Sequence, residues 1–501
     1  MWNNNSRFRI FSKLCIEMNQ QQASPIMEIL QKLIIQPDVP FYAPGHKRGQ
    51  GVSKILSDLL GKRTFQTDLP ELPELDNLFA PLGVIQEAQS LAAELWGASQ
   101  TWFLVNGTTC GVIAAILATC GAGDKIILPR NSHQSAIAGL ILSGAMPIVI
   151  EPVYDAQWDL AYGITPEALE QTLQDHPDAK AVMLLYPTYH GVGADIQAIA
   201  EVSHHYHIPL IVDEAHGAHF HFHPDLPPSA LAAGVDITIQ STHKTLGALS
   251  QASMLHLQGS RVNPQRITKA LSLVQSTSPS YLLLASLDGA RQQMALEGKA
   301  LLTQTLDLAN IARQKLAQIP GLTVLSFAEP QPGFCWFDPT RLTVDVSQWG
   351  LTGFEVDERL REEWRVTAEL PTLRQLSFII SLGNSPQDIE TLIQAFRVLS
   401  DRCPILETNI LKIPPIPPSH FALSPRDAFF AMTETVKIEN AIARISAELI
   451  CPYPPGIPVL IPGEMITQEA LDYLQKVQNL GGMISGYSDS SLQTFQVIAN
   501  K

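Results

Sequence analysis

The chain has 501 residues, a length for two to four domains, and its 46% hydrophobic and 16% charged content describe a globular protein with a large core. No apolar run reaches the ~18–20 residues that span a bilayer, and a net charge of −15 argues against nucleic acid as a partner while favouring small cationic molecules. Cys15, Cys110, Cys120, Cys335, Cys403 and Cys451 are scattered without a CxxC pair, which predicts free thiols and a reducing cytoplasm.

Residues 1–18 hold Arg7, Arg9 and Lys13 but no apolar stretch of a secretory leader, and Asn19-Gln20-Gln21-Gln22 follows. They read as a disordered extension, with Met18 an alternative start. From residue 102 to about 254, short apolar runs alternate with longer Ala- and Leu-rich stretches. The runs lie at 102–105, 125–128, 147–150, 181–185, 209–212 and 236–239. This is the pattern of βαβ units: an α/β fold with a mostly parallel sheet and helices on both faces. In such sheets the ligand sits at the carboxyl ends of the strands.

The pattern changes near Ile319-Pro320-Gly321 into strands and amphipathic helices, and a stiff proline-rich linker runs from Pro404 to Pro418. The boundaries expected are 1–60 for an N-terminal extension and arm, 61–318 for a large ligand-binding domain, and 319–403 for a small α/β domain. Residues 404–501 form the linker and a C-terminal domain, which includes Tyr453-Pro454-Pro455-Gly456.

Four strand ends carry chemistry. At Asn106-Gly107-Thr108-Thr109 a strand turns into a helix, whose backbone N–H groups and hydroxyls suit an anion. Thr108 or Thr109 equally suits the helix N-cap. Arg130-Asn131-Ser132-His133 brings an imidazole to the same rim, able to stack on a ring or move a proton. In Asp213-Glu214-Ala215-His216 a carboxylate ends a buried strand and needs a cationic partner, which a protonated pyridine nitrogen supplies. The same four letters name a helicase class, but no GxxxxGK[ST] loop precedes them. His219, His221 and His223 alternate, which would set them on one face of an extended strand; solvated loop histidines are the commoner outcome and no metal is expected. Finally, Ser241-Thr242-His243-Lys244-Thr245 follows the last apolar run. Taken alone it is also an ordinary polar loop. Beside a phosphate held by Ser241 and His243, Lys244 suits the imine-forming lysine of a pyridoxal 5'-phosphate (PLP) enzyme.

Together these motifs resemble the PLP-dependent ornithine/lysine/arginine decarboxylases of fold type I, in the short form without an N-terminal wing domain. The resemblance extends through Phe41-Tyr42-Ala43-Pro44-Gly45-His46-Lys47, Pro187-Thr188-Tyr189-His190-Gly191, Thr277-Ser278-Pro279-Ser280-Tyr281 and Pro462-Gly463-Glu464. His190 departs from it, a tyrosine being frequent there. The resemblance implies an aspartate aminotransferase-like large domain with smaller α+β domains after it. It also implies Lys244 as Schiff-base lysine, Asp213 on the pyridine nitrogen, His133 stacked on the ring and Ala215 behind it. Thr108, Thr109, Ser241 and His243 would hold the phosphate, and His216 would orient the cofactor or the substrate carboxylate. Glu464 would bind the substrate's distal cation, with a hydroxyl near Ser276 from a neighbouring subunit of a homodimer or larger homo-oligomer. The implied reaction is decarboxylation of arginine or lysine, with ornithine possible, feeding polyamine metabolism. An aminotransferase, a lyase and a silent regulatory relative are the alternatives on this scaffold.

Overall fold

Strands buried on both faces read as unbroken apolar runs, and the six predicted runs are strands in the computed structural model, which describes residues 20–406, 418, 420–452 and 457–499. They are β1 (Gln100–Leu104), β2 (Lys125–Pro129), β3 (Met146–Ile150), β4 (Ala181–Leu185), β5 (Leu210–Asp213) and β6 (Ile237–Gln240). A seventh, β7 (Ser253–Leu257), inserts between β1 and β6 to give the order β1-β7-β6-β5-β4-β2-β3. It runs antiparallel to both neighbours, so it alone is reversed while the other six point one way. The sheet is therefore mostly parallel, as the sequence predicts. Residues 1–19, most of the proline-rich linker and Tyr453-Pro454-Pro455-Gly456 lie outside the described residues.

Helix α1 (Pro25–Ile35) places Ile26 and Leu30 in the main core. The sequence assigns this segment to an arm, but it belongs to the large domain. A buried pair on a later helix fixes it: Arg291 and Asp288 are both fully buried and 2.9 Å apart. Asp288 accepts from the Ile26 N–H at 3.0 Å, and Arg291 donates to the Gln21 carbonyl at 3.0 Å. Helices α2 (Gly107–Thr119) and α3 (Gln134–Ser143) follow β1 and β2. α2 is apolar nearly all round because it is packed on nearly every side. Its approach to the sheet requires Gly111, where a Cβ would come within 2.7 Å of both Ile239 and Leu104.

The one-turn helix α4 (Thr242–Thr245) follows β6 and carries Lys244. Helix α5 (Tyr281–Leu316) joins two cores: Tyr281 to Leu306 pack on the main one, and Ala309, Ala312 and Leu316 pack on a second. The boundary expected at residue 318 falls in the turn after this helix, whose last residues already pack on the second core. The small body has a four-stranded sheet of β8 (Thr323–Val324), β9 (Arg341–Asp345), β10 (Leu370–Pro371) and β11 (Gln375–Ile379), ordered β8-β9-β11-β10. All its pairings are antiparallel, which makes it α+β rather than α/β. In the C-terminal body, β12 (Thr433–Lys437) pairs with β13 (Thr494–Ile498), beside a helix at Gln468–Asn479.

Both smaller bodies are tied to strand ends of the large sheet. From the small body, Arg341 donates to the His216 carbonyl at 3.1 Å, and Ser377 meets His190 Nδ1 at 2.9 Å. From β2, Arg130 donates to the C-terminal body at the Val459 carbonyl, at 3.0 Å.

Under the sheet, His256 of β7 bridges Thr101 on β1 (2.8 Å) and Gln240 on β6 (3.2 Å). Burial pushes its imidazole down to about 3, against about 6.5 in an unfolded chain. A depressed folded value means that the stabilisation is intact above about pH 6.5 and is lost as pH falls toward 3. Denaturant unfolding between pH 4 and 7 is predicted to show the wild type weakening in acid more steeply than His256→Gln, by about 1.4 kcal/mol per pH unit. Parallel curves would contradict this.

Candidate active site

Lys244 is delivered to the carboxyl edge of the sheet by β6 and the short helix α4. Its Nζ lies 2.9 Å from His216 Nε2 and 5.5 Å from the centre of the Tyr189 ring. Burial, with the Lys244 and Arg341 charges nearby, holds the His216 imidazole well below its usual range, so it is neutral. Nε2 then accepts from Lys244, and the proton sits on Nδ1, which is buried without a partner. Burial also lowers the Lys244 amine, while Asp213 pulls it back up. An amine held below its normal pKa is the kind that attacks a carbonyl.

Asp213 ends β5 with 4% exposure. Burial raises its carboxyl, and His133 and Lys244 counter that rise. One oxygen accepts from the Ala215 N–H at 3.1 Å, and no ion pair within 4.0 Å is made among the described residues. A carboxylate so placed calls for a cation. His133 caps α3: its Nδ1 accepts from the Ser135 N–H at 3.2 Å and meets the Ser135 hydroxyl at 2.9 Å. That pattern assigns the proton to Nε2. Burial lowers its imidazole as well.

The N-cap of α2 is Asn106, so Thr108 and Thr109 lie inside the first turn and do not cap it. Asn106 makes no side-chain cap either, because its oxygen accepts from the Ser276 N–H at 3.0 Å. The first N–H groups of the helix therefore keep their capacity for an anion. Thr108 and Ser241 hydroxyls meet beside them at 3.0 Å, and His243 spends Nδ1 on the Ala252 carbonyl at 3.0 Å. Uncapped N–H groups, paired hydroxyls, a buried carboxylate short of a cation and a depressed lysine fit PLP: phosphate, ring nitrogen and aldehyde each meet a suitable group.

Two expected residues make no contact with Lys244 among the described residues of one chain. Glu464, 3% exposed, accepts from the Ile461 N–H at 2.8 Å and lies 3.4 Å from Arg130. Both contacts are made by Oε2, while Oε1 is buried without a hydrogen-bond partner among the described residues. Ser276 is exposed beside Asn106, and no contact among the described residues joins it to Glu464. The alternating histidines do not share a strand face, because Phe220–Phe222 is a 3₁₀ turn. His219 pairs with Asp338 at 3.2 Å and His223 with Thr303 at 3.0 Å. Sequence reasoning gave no role to Tyr189, Arg130 or Arg341. Tyr189 follows the end of β4, and the strand-end criterion that found Asp213 would have found it.

Asp213 attracts the ammonium form of Lys244. In cofactor-free Asp213→Asn, modification of Lys244 by an amine-reactive reagent, followed by peptide mass spectrometry, is predicted to reach half-maximum at a lower pH than in the wild type. An unchanged or higher midpoint would contradict the coupling.

Residues 24–388 match the family described as Orn/Lys/Arg decarboxylase, major domain, and residues 417–494 match its C-terminal domain. The arginine decarboxylase of Bacillus subtilis (strain 168) is 41% identical over 483 residues, covering 95% of this chain and 98% of that one. The constitutive lysine decarboxylase of Escherichia coli (strain K12) is 23% identical over 92% of this chain and 78% of its own. Among solved structures, the lysine decarboxylase of Francisella novicida superposes with a TM-score of 0.83 at 23% identity, over 96% of this chain and 82% of that one. An alanine–glyoxylate aminotransferase from Nostoc sp. shares the α/β fold at a TM-score of 0.53 and 19% identity, over 66% of this chain and 89% of its own. The chain belongs to the Orn/Lys/Arg decarboxylase family.

Proposed function

We propose that the protein uses PLP to decarboxylate a basic amino acid, arginine in the first place and lysine next, releasing carbon dioxide and the corresponding amine. The observation that carries this reading is the depressed, partly buried Lys244 amine facing neutral His216, one strand away from the buried Asp213 carboxylate. Arginine is preferred because the Bacillus subtilis relative, named an arginine decarboxylase, is 41% identical. Ornithine stays in range, since a methylene alters selection by only about 1–3 kcal/mol.

PLP supplies the electron sink for the bond broken at Cα. The residues of the chain do the rest. Lys244 would hold the cofactor through its amine, and Asp213 would keep a ring nitrogen protonated. The α2 N-terminus with Thr108, Thr109, Ser241 and His243 would hold the phosphate. His133, fixed by Ser135, and Ala215 would flank the ring. The proton that replaces carbon dioxide at Cα comes from Nε2 of His133 or Nζ of Lys244.

We further propose a homodimer, acting in the cytoplasm to supply amines for polyamine synthesis. Phe41 is 94% exposed and Ile35, Val39, Ile55, Leu59 and Leu82 are also open, an apolar surface suited to a second copy. The five described cysteines are all free thiols.

Purified, PLP-loaded protein given carboxyl-labelled arginine, lysine and ornithine separately is predicted to release labelled carbon dioxide with an equal amount of amine. Lys244→Ala is predicted to lose at least about 100-fold in rate. Keto acid in place of amine would move the reading to an aminotransferase; a turnover-competent Lys244→Ala would overturn the assignment.

A further inference from the structure

Lys244 and His216 belong to the large body, yet a buried charge that acts on both comes from the small one. Trp336 and Phe337 pair antiparallel with Gly193 and Val192, which lays the turn at 338–341 against the large body. The Asp338 N–H donates to the Gly191 carbonyl at 2.8 Å. Gly191 is the seat of this turn. Its φ is +81°, and a Cβ there would come within 2.8 Å of the Arg341 Cβ and 2.9 Å of the Asp338 carbonyl oxygen.

Arg341 is 1% exposed. Its Nη2 donates to the His216 carbonyl at 3.1 Å, and its Nε faces Asp338 Oδ2 at 3.6 Å. Nη1 is buried without a hydrogen-bond partner among the described residues. Asp338 is fully buried and is held by His219 at 3.2 Å and by the Thr340 N–H and hydroxyl at 2.9 and 2.7 Å. Burial raises its carboxyl, and His219, Arg341 and Thr340 overcome that to bring it down to about 2. A backbone carbonyl needs only a neutral donor, so a buried guanidinium is a costly way to satisfy it. The charge therefore has another use.

That use lies at the pair that meets at 2.9 Å, Lys244 Nζ and His216 Nε2. Burial lowers the Lys244 amine, Asp213 raises it, Arg341 lowers it further and Glu369 raises it. The other groups around the amine are His133 at the start of α3, His243 on its own turn and Tyr189 after β4. Of all these, Arg341 and Glu369 alone come from the small body. Glu369 is exposed, so water screens it. Arg341 is the buried charge that the small body adds.

We infer that Arg341 is a positioning residue for Lys244: seated on Gly191 and held by Asp338, it fixes the His216 turn through its carbonyl and lays a buried positive charge within range of the amine, so that docking of the small body sets the reactivity of the lysine. This rests on the proposed role of Lys244 for its meaning in catalysis, but not for the coupling itself.

The test uses cofactor-free protein and follows modification of Lys244 by an amine-reactive reagent against pH, read by peptide mass spectrometry. Arg341→Met keeps bulk and drops the charge, and is predicted to raise the midpoint by about one pH unit, the low end for a nearby charge. Arg341→Lys keeps the charge and is predicted to leave the midpoint in place. Asp338→Asn removes the counter-charge of the guanidinium and is predicted to lower it. The opposite sign separates charge from structure, because a loosened and wetter site would raise the midpoint in every variant. If Asp338→Asn does not fold, the contrast between Arg341→Met and Arg341→Lys decides alone. A midpoint unmoved in Arg341→Met, or raised as far in Arg341→Lys, or raised in Asp338→Asn, would overturn the inference. Shifts in the predicted directions in a protein that takes up no PLP and releases no carbon dioxide would leave the inference standing while the decarboxylase reading fails.

Discussion

Burying a charge without its partner is the costliest thing a fold does, and this one does it repeatedly along a single edge. Asp213 ends β5 buried with no ion-pair partner within 4.0 Å among the described residues, and burial lowers the Lys244 amine in the helical turn that follows the next strand. His133 and His216 are held neutral around them. A packed sheet imposes these environments because strand ends cannot retreat from one another. The same groups match the charges of a cationic ring and an aldehyde, which is why they suit the cofactor proposed above.

The two smaller bodies matter because they close this edge. Arg341 reaches from the small body to the His216 carbonyl, and Arg130 reaches from β2 to Val459 and Glu464 in the C-terminal body. Each is 5% exposed or less. Guanidinium groups suit such struts, since they stay charged and donate in several directions.

Much of the large domain was legible because buried parallel strands announce themselves as apolar runs, and the ligand rule for their carboxyl ends pointed to Lys244, Asp213 and His133. β7 escaped because a single helical turn, not a full crossover helix, separates it from β6. Helix α5 carries the chain from the main core into the second, which periodicity in a single helix does not reveal. The N-cap reading of Thr108 and Thr109 failed, and the contact of Glu464 with Arg130 was missed, for one cause. A cap depends on where the helix begins to a single residue, and an ion pair joining residues 130 and 464 leaves no trace in local sequence.

The most direct measurement is the position of the cofactor on the chain. Protein loaded with PLP, reduced with borohydride and digested should yield one pyridoxylated peptide, carrying its label on Lys244. A label on another lysine, or none, would contradict the account of this edge as a PLP site.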